Sequence, residues 1–260
     1  MSDTPAISRL QDRWDAHVSQ FLAGGPAVPD GLHDWANGYS GRGRGAVQLD
    51  ALPEPYLGDL DAEVRGVFLA LNPGNAVLSF QGRQGKFASD ITRLGSYRAW
   101  AKSWPYLCAP WISEIGPSRH HQSRFKFLRT WFGDESMPSS AMVGFEMYPW
   151  HSPKITGRMR PPADVIREWV WEPIAELGAP VFAFGAPWFE ILEDGLGLSI
   201  VERLGVGGRD YGSAVESRSV LILRDEQTGV TVLAEKHTGG AGPPSAIEVA
   251  LLRNTIALAA

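Results

Sequence analysis

The sequence predicts an α/β fold built on a mainly parallel sheet. Two observations predict it: short apolar runs alternate with stretches of helical periodicity, and the chain has no internal repeat. A third fixes where a site would sit. Val67-Phe68-Leu69-Ala70-Leu71 stops abruptly at Asn72-Pro73-Gly74, the pattern of a buried parallel strand ending in a tight turn. Pro73 biases Asn72 away from helical angles, and Gly74 can take a positive φ. Ligands of open α/β sheets bind at the carboxyl ends of the strands, so Asn72 presents an amide at an expected site mouth. An ordinary strand-to-loop turn is the competing reading.

The remaining elements follow in chain order. Apolar residues Ile7, Leu10, Trp14, Val18, Phe21 and Leu22 recur at helical spacing and end at Gly24-Gly25-Pro26. Residues 25–60 read as irregular, because glycines and prolines interrupt every pattern; Gly41-Arg42-Gly43-Arg44-Gly45 within them reads as a basic linker before a phosphate clamp. After Gly74 comes a polar loop carrying Phe80 and Phe87, then a basic, Trp-rich segment, helical in parts (91–103 and 123–132). A second strand spans 141–148. A helix follows over 162–177, with a kink or early break expected at Pro173. A third strand spans 180–184, and Pro187 opens another helix. A Gly-rich stretch at 195–212 precedes two further strands, at 219–223 and 230–237. The chain closes with a helix to about Leu258. The expectation is a single domain over 1–260, with an N-terminal helix and irregular extension at 1–52 and a core at 53–258.

Composition narrows the class. The chain has 260 residues, 44% of them apolar and 20% charged, which are ordinary globular values. Cys108 is the sole cysteine, which excludes an intrachain disulfide and argues against a cysteine-ligated metal. The polar, acidic start lacks the basic and apolar regions of a signal peptide, and no apolar run is long enough to span a membrane. These features predict a cytoplasmic location. Net charge is −5, but it is unevenly spread. Residues 81–160 hold 12 Lys+Arg against 5 Asp+Glu, between flanks that carry net charges of −5 and −7. Local fields steer a polyanion more than the sum does, although a solvated basic helix face would give the same count.

Four signals share an order: a strand ending in Leu-Asn-Pro-Gly, a strand ending in Phe-Glu-Met-Tyr-Pro, the unit Val-Phe-Ala-Phe-Gly-Ala-Pro-Trp, and a late strand delivering His237 to a Gly/Pro loop. This order resembles the uracil-DNA glycosylase superfamily, nearest the branches with an Asn-Pro-Gly first motif, over about residues 53–258. The resemblance implies a three-layer sandwich around a central, mainly parallel sheet of four to five strands. It implies a glycosylase that cleaves the N-glycosidic bond of a flipped-out uracil-like or modified pyrimidine, with DNA, single- or double-stranded, as partner. It implies a monomer that needs no cofactor.

By position, the resemblance gives Asn72 the water-positioning role and His237 the role of stabilising charge on the departing base. Phe80 or Phe87 would stack on that base, and Glu146 stands where the family often places a base-reading Asn, with Tyr148 beside it. Arg83, Lys86, Lys154 and Arg158 would hold phosphates, and Thr238, Gly239 and Gly240 begin the loop that would enter the duplex. Two positions depart from the family. His237-Thr-Gly-Gly replaces His-Pro-Ser-Pro, which loosens that loop. An ionised Glu146 only accepts hydrogen bonds, so it suits a base with an exocyclic amine, such as cytosine or a derivative, better than uracil; a buried, protonated Glu would donate instead.

Other readings stand beside this one. A non-catalytic nucleic-acid-binding module could share the fold, and a small-molecule hydrolase could use Ser152 with His151, although Gly-x-Ser-x-Gly is absent. No His-Glu-x-x-His or comparable spacing supports a metal among His120, His121 and His151. Trp100, Trp104, Trp111 and Trp131 read as core before base-stacking surfaces.

Overall fold

A computed structural model describes residues 4–210, 218–237 and 242–257. Its centre is a seven-stranded mixed sheet in the order β1-β3-β2-β4-β7-β6-β5. The strands are β1 (Tyr56–Leu57), β2 (Gly66–Ala70), β3 (Met142–Glu146), β4 (Val181–Phe184), β5 (Ser199–Gly205), β6 (Arg218–Arg224) and β7 (Thr231–His237). Four of them, β3-β2-β4-β7, run parallel. β1 pairs antiparallel with β3 at one edge, and the β5–β6 pair closes antiparallel onto β7 at the other. The expected count of four to five strands is therefore too low; what is parallel is the four-strand centre.

The two strands that sequence reasoning missed are those with the weakest signals. β1 has only two residues. β5 lies inside the Gly-rich stretch, and most of its residues are exposed or half-exposed, so no apolar run marks it. Every residue of β2, β3 and β4 is buried, so the middle of the sheet is covered on both faces. On one face lies the helix Arg119–Phe132, where Phe125 meets Phe68 at 6.4 Å and Phe127 meets Phe182 at 5.1 Å.

The N-terminal helix spans Ala6–Leu22, and Leu10, Trp14, Val18 and Phe21 are fully buried, as their spacing requires. It is fastened to the core by Arg9–Glu172 (2.6 Å) and by bonds from Arg98 to Asp12 and Asp15. The chain over 163–177 stays helical through Pro173, so of the kink or early break that the proline predicts, the break does not occur. A π-helical turn at Arg167–Trp171 precedes the proline and is followed by Glu172–Leu177. Proline has no N–H to donate and its ring crowds the carbonyl four residues earlier, and a widened turn there accommodates both demands.

Candidate active site

The carboxyl ends of the parallel strands carry four of the predicted site residues, Asn72, Glu146, Tyr148 and His237. Ala70 of β2 pairs with Glu146 of β3, and Phe184 of β4 pairs with Glu235 of β7. Just beyond β2, Asn72 is 8% exposed and donates from Nδ2 to Ser152 Oγ at 2.8 Å. The chain after β3 runs alongside: Met147 and Tyr148 donate backbone N–H bonds to Ala70 and Leu71, and the Ser152 amide donates to the Gly74 carbonyl at 2.9 Å. Gly74 takes φ +83°, the positive value its turn requires. Tyr39 completes the chain of hydroxyls, 3.5 Å from Ser152 Oγ.

A second buried network lies behind this edge. Tyr106 donates to both oxygens of Glu54, at 2.6 and 2.7 Å, and Gln81 Nε2 reaches Glu54 at 3.2 Å and also bonds Tyr106. Burial, with Glu54 beside it, holds the Tyr106 hydroxyl in its protonated form. His151 is fully buried, with Nδ1 at 3.1 Å from the Gly74 carbonyl and Nε2 at 3.2 Å from Glu54. Both ring nitrogens are thus engaged elsewhere, and Ser152 is bonded to Asn72. The geometry does not form a Ser152–His151 nucleophile pair.

Glu146 faces the interior. It lines an enclosed cavity of about 10 Å³ with Glu54, Tyr56, Leu57, Phe68, His121 and Gly144, room for about one water, and Asn72 is not among the lining residues. Burial raises its pKa well above the ordinary carboxylate value, against the opposing pull of Arg124. His120 Nε2 lies 3.9 Å from Glu146 Oε1, and it is buried although the ring's side chain is 35% exposed. Burial, with Arg124 and His121 nearby, keeps His120 neutral. Arg124 is itself buried beneath the helix, its guanidinium over Phe68 and Phe184 at 5.9 and 5.4 Å.

The other predicted residues divide. Phe80 and Phe87 are 1% and 2% exposed and sit in one aromatic cluster, with rings 5.4 Å apart and both against Trp111. They are packed as core, as are Trp100 and Trp104, and Tyr148 is buried 5.8 Å from the Tyr39 ring. Arg83 is tied to the Phe21 and Gly25 carbonyls and lies over the Phe21 ring, and Lys86 is paired with Glu114. Lys154 and Arg158 are exposed and have no ion-pair partner among the described residues. His237 ends β7, where its backbone pairs with Arg218. Thr238, Gly239 and Gly240 lie outside the described residues.

Sequence reasoning missed Tyr39, Glu54, Gln81 and Tyr106. Glu54 and Tyr106 are 52 positions apart and Tyr39 and Ser152 are 113 apart, so no local spacing could reveal them. Among the described residues, no group of three or more His, Cys, Asp or Glu could hold a metal, and no helix is long and apolar enough to cross a membrane. Compared with family models, curated proteins and solved structures, the chain matches none.

Proposed function

We propose that the chain is a DNA glycosylase-like hydrolase, cleaving the N-glycosidic bond of a uracil-like or modified pyrimidine base turned out of the strand. One observation carries the reading: β2 and β7 end at the same edge of the sheet with only β4 between them. Two inter-strand spacings put the ends of these strands ~10 Å apart. A nucleoside lying across the end of β4 would span that distance, its sugar at Asn72 and its base at the end of β7.

The chemistry asks little of a base catalyst. Breaking the bond builds positive charge on the sugar and negative charge on the departing base, and water then adds to the sugar carbon. Asn72 has no basic form, but its Nδ2 is spent on Ser152, which leaves Oδ1 to orient that water. A hydrogen bond from His237 to the base stabilises the transition state more than the ground state, the condition for a rate gain. Glu146 bears on recognition. Burial favours its protonated form, which donates to a carbonyl as readily as it accepts from an amine, so uracil and cytosine derivatives both remain substrates.

A second reading rests on the cavity at Glu146, which holds only about one water and leaves no room for a base unless it opens. A module that binds nucleic acid without cleaving it fits that closed geometry. Oligonucleotides carrying uracil, cytosine or modified cytosines, treated with protein and then alkali, separate the two. The glycosylase reading expects strand breaks at one of these bases, reduced on the order of 10²–10³-fold in His237→Ala and strongly in Asn72→Ala. Breaks on none of them, or breaks undiminished in both variants, overturn it. Binding without breaks supports the module.

A further inference from the structure

Two basic segments that lie far apart in sequence are joined on the surface beside Asn72. Ser40 donates its amide to the Arg158 carbonyl at 3.1 Å, Arg160 donates to Gly38 at 2.9 Å, and Arg158 donates to Ser40 Oγ at 2.9 Å. Tyr39 and Met159 form an antiparallel bridge between them. The glycines of Gly41-Arg42-Gly43-Arg44-Gly45 permit the contact. A Cβ on Gly45 would strike Thr156, and one on Gly157 would strike the Gly41 backbone. The segment that reads as a linker is therefore a packed part of the surface.

Its charge is one-sided. Residues 38–49 and 147–163 contain Arg42, Arg44, Lys154, Arg158 and Arg160 and not one Asp or Glu, in a chain whose net charge is −5. All five cations are exposed. Arg160 lies 3.5 Å from Glu190; the other four have no ion pair among the described residues. The patch adjoins the site through one side chain, because Tyr39 donates to the Lys154 carbonyl at 3.2 Å and also meets Ser152, the partner of Asn72.

We propose that these paired loops are the surface that holds the phosphodiester backbone of a nucleic-acid strand, with Arg42, Arg44, Lys154 and Arg158 as its phosphate contacts. The proposal rests on the nucleic-acid reading above and gives it a location. Dispersed, hydrated cations on an open surface suit a polymer of phosphates, since each contact gains by releasing counterions from the strand. Arg83 is tied to backbone carbonyls and Lys86 is paired with Glu114, so neither is counted among these contacts.

The test is fluorescence anisotropy with an unmodified single-stranded oligonucleotide and its duplex, titrated from low to moderate salt. The variant R42A/R44A/K154A/R158A alters only exposed side chains, and its unfolding midpoint confirms that it folds. We expect a flatter salt dependence, with the log–log slope reduced by roughly 3 for four phosphate contacts, and at least a tenfold loss of affinity at low salt. R119A/K126A, which removes two exposed cations from the basic middle of the chain, should bind like wild type. Wild-type affinity and slope in the fourfold variant overturn the proposal, as does an equal loss in R119A/K126A. Binding to anionic lipid vesicles with none to either oligonucleotide overturns it also. Because anisotropy reads binding and not base release, failure to excise any base would leave this surface standing. Retained binding in the fourfold variant would remove the surface and leave the chemistry untouched.

Discussion

Asn72 and Ser152, 80 positions apart, are joined by a 2.8 Å hydrogen bond from the amide nitrogen to the hydroxyl. The bond fixes which end of the amide faces outward. Ser152→Ala removes the acceptor and leaves a buried amide group unsatisfied, at a cost of about 1–3 kcal/mol. Urea unfolding should report that loss, and single-turnover excision should slow more than oligonucleotide binding weakens.

Glu54 is 2% exposed and takes hydrogen bonds from Tyr106 while facing His151 at 3.2 Å. Replacing it with leucine strands three buried polar partners, so Glu54→Leu should destabilise the fold by about 3–5 kcal/mol. The unfolding midpoint in urea checks this, and a variant as stable as wild type would show that the network contributes nothing.

His121 stacks on Tyr106 with ring centroids 4.5 Å apart, and burial lowers its pKa from 6.5 to about 3. Its unfolded form therefore takes up the proton first. The stability contributed by the neutral ring is complete above pH 6.5 and is lost as pH falls toward 3, with a slope approaching one proton. His121→Phe keeps a ring in the stack and removes the titration. The difference in unfolding free energy between variant and wild type should shift in the variant's favour from pH 7 to pH 5.

Phe87 contacts Phe80, Trp100, Tyr106 and Trp111 at centroid distances of 5.0–5.7 Å. As a core ring, it should cost about 3–5 kcal/mol when cut to alanine. The damage should appear in thermal or urea unfolding, with the KM for any oligonucleotide substrate little changed. A raised KM in a fully folded variant would instead assign the ring to base stacking.

The parts of this architecture legible in the sequence are those written in contiguous residues. β2 and the turn at Asn72-Pro73-Gly74 announce themselves as an apolar run stopped by proline and glycine, and β7 arrives at His237 as expected. β5 was illegible because an edge strand with a solvated face needs no apolar run. Pro173 marks an irregularity but not its form, because a π turn can absorb what would otherwise break an α-helix. Basic residues look alike in sequence whether they face solvent, as Lys154 does, or cap a helix carbonyl, as Arg83 does. Only tertiary placement distinguishes them.

The N-terminal arm has a thermodynamic consequence. Trp14, Trp35 and Trp150 form an edge-to-face series with centroids 6.4 and 5.6 Å apart, and Trp150 donates to the Ala27 carbonyl. Trp35 in turn donates to the Met147 carbonyl, immediately after β3. Because the arm shares its indoles with the segment that runs beside Asn72, pulling the two apart uncovers three buried indoles together. A substitution that loosens residues 6–37 is expected to shift the backbone that carries Ser152, the partner of the Asn72 amide.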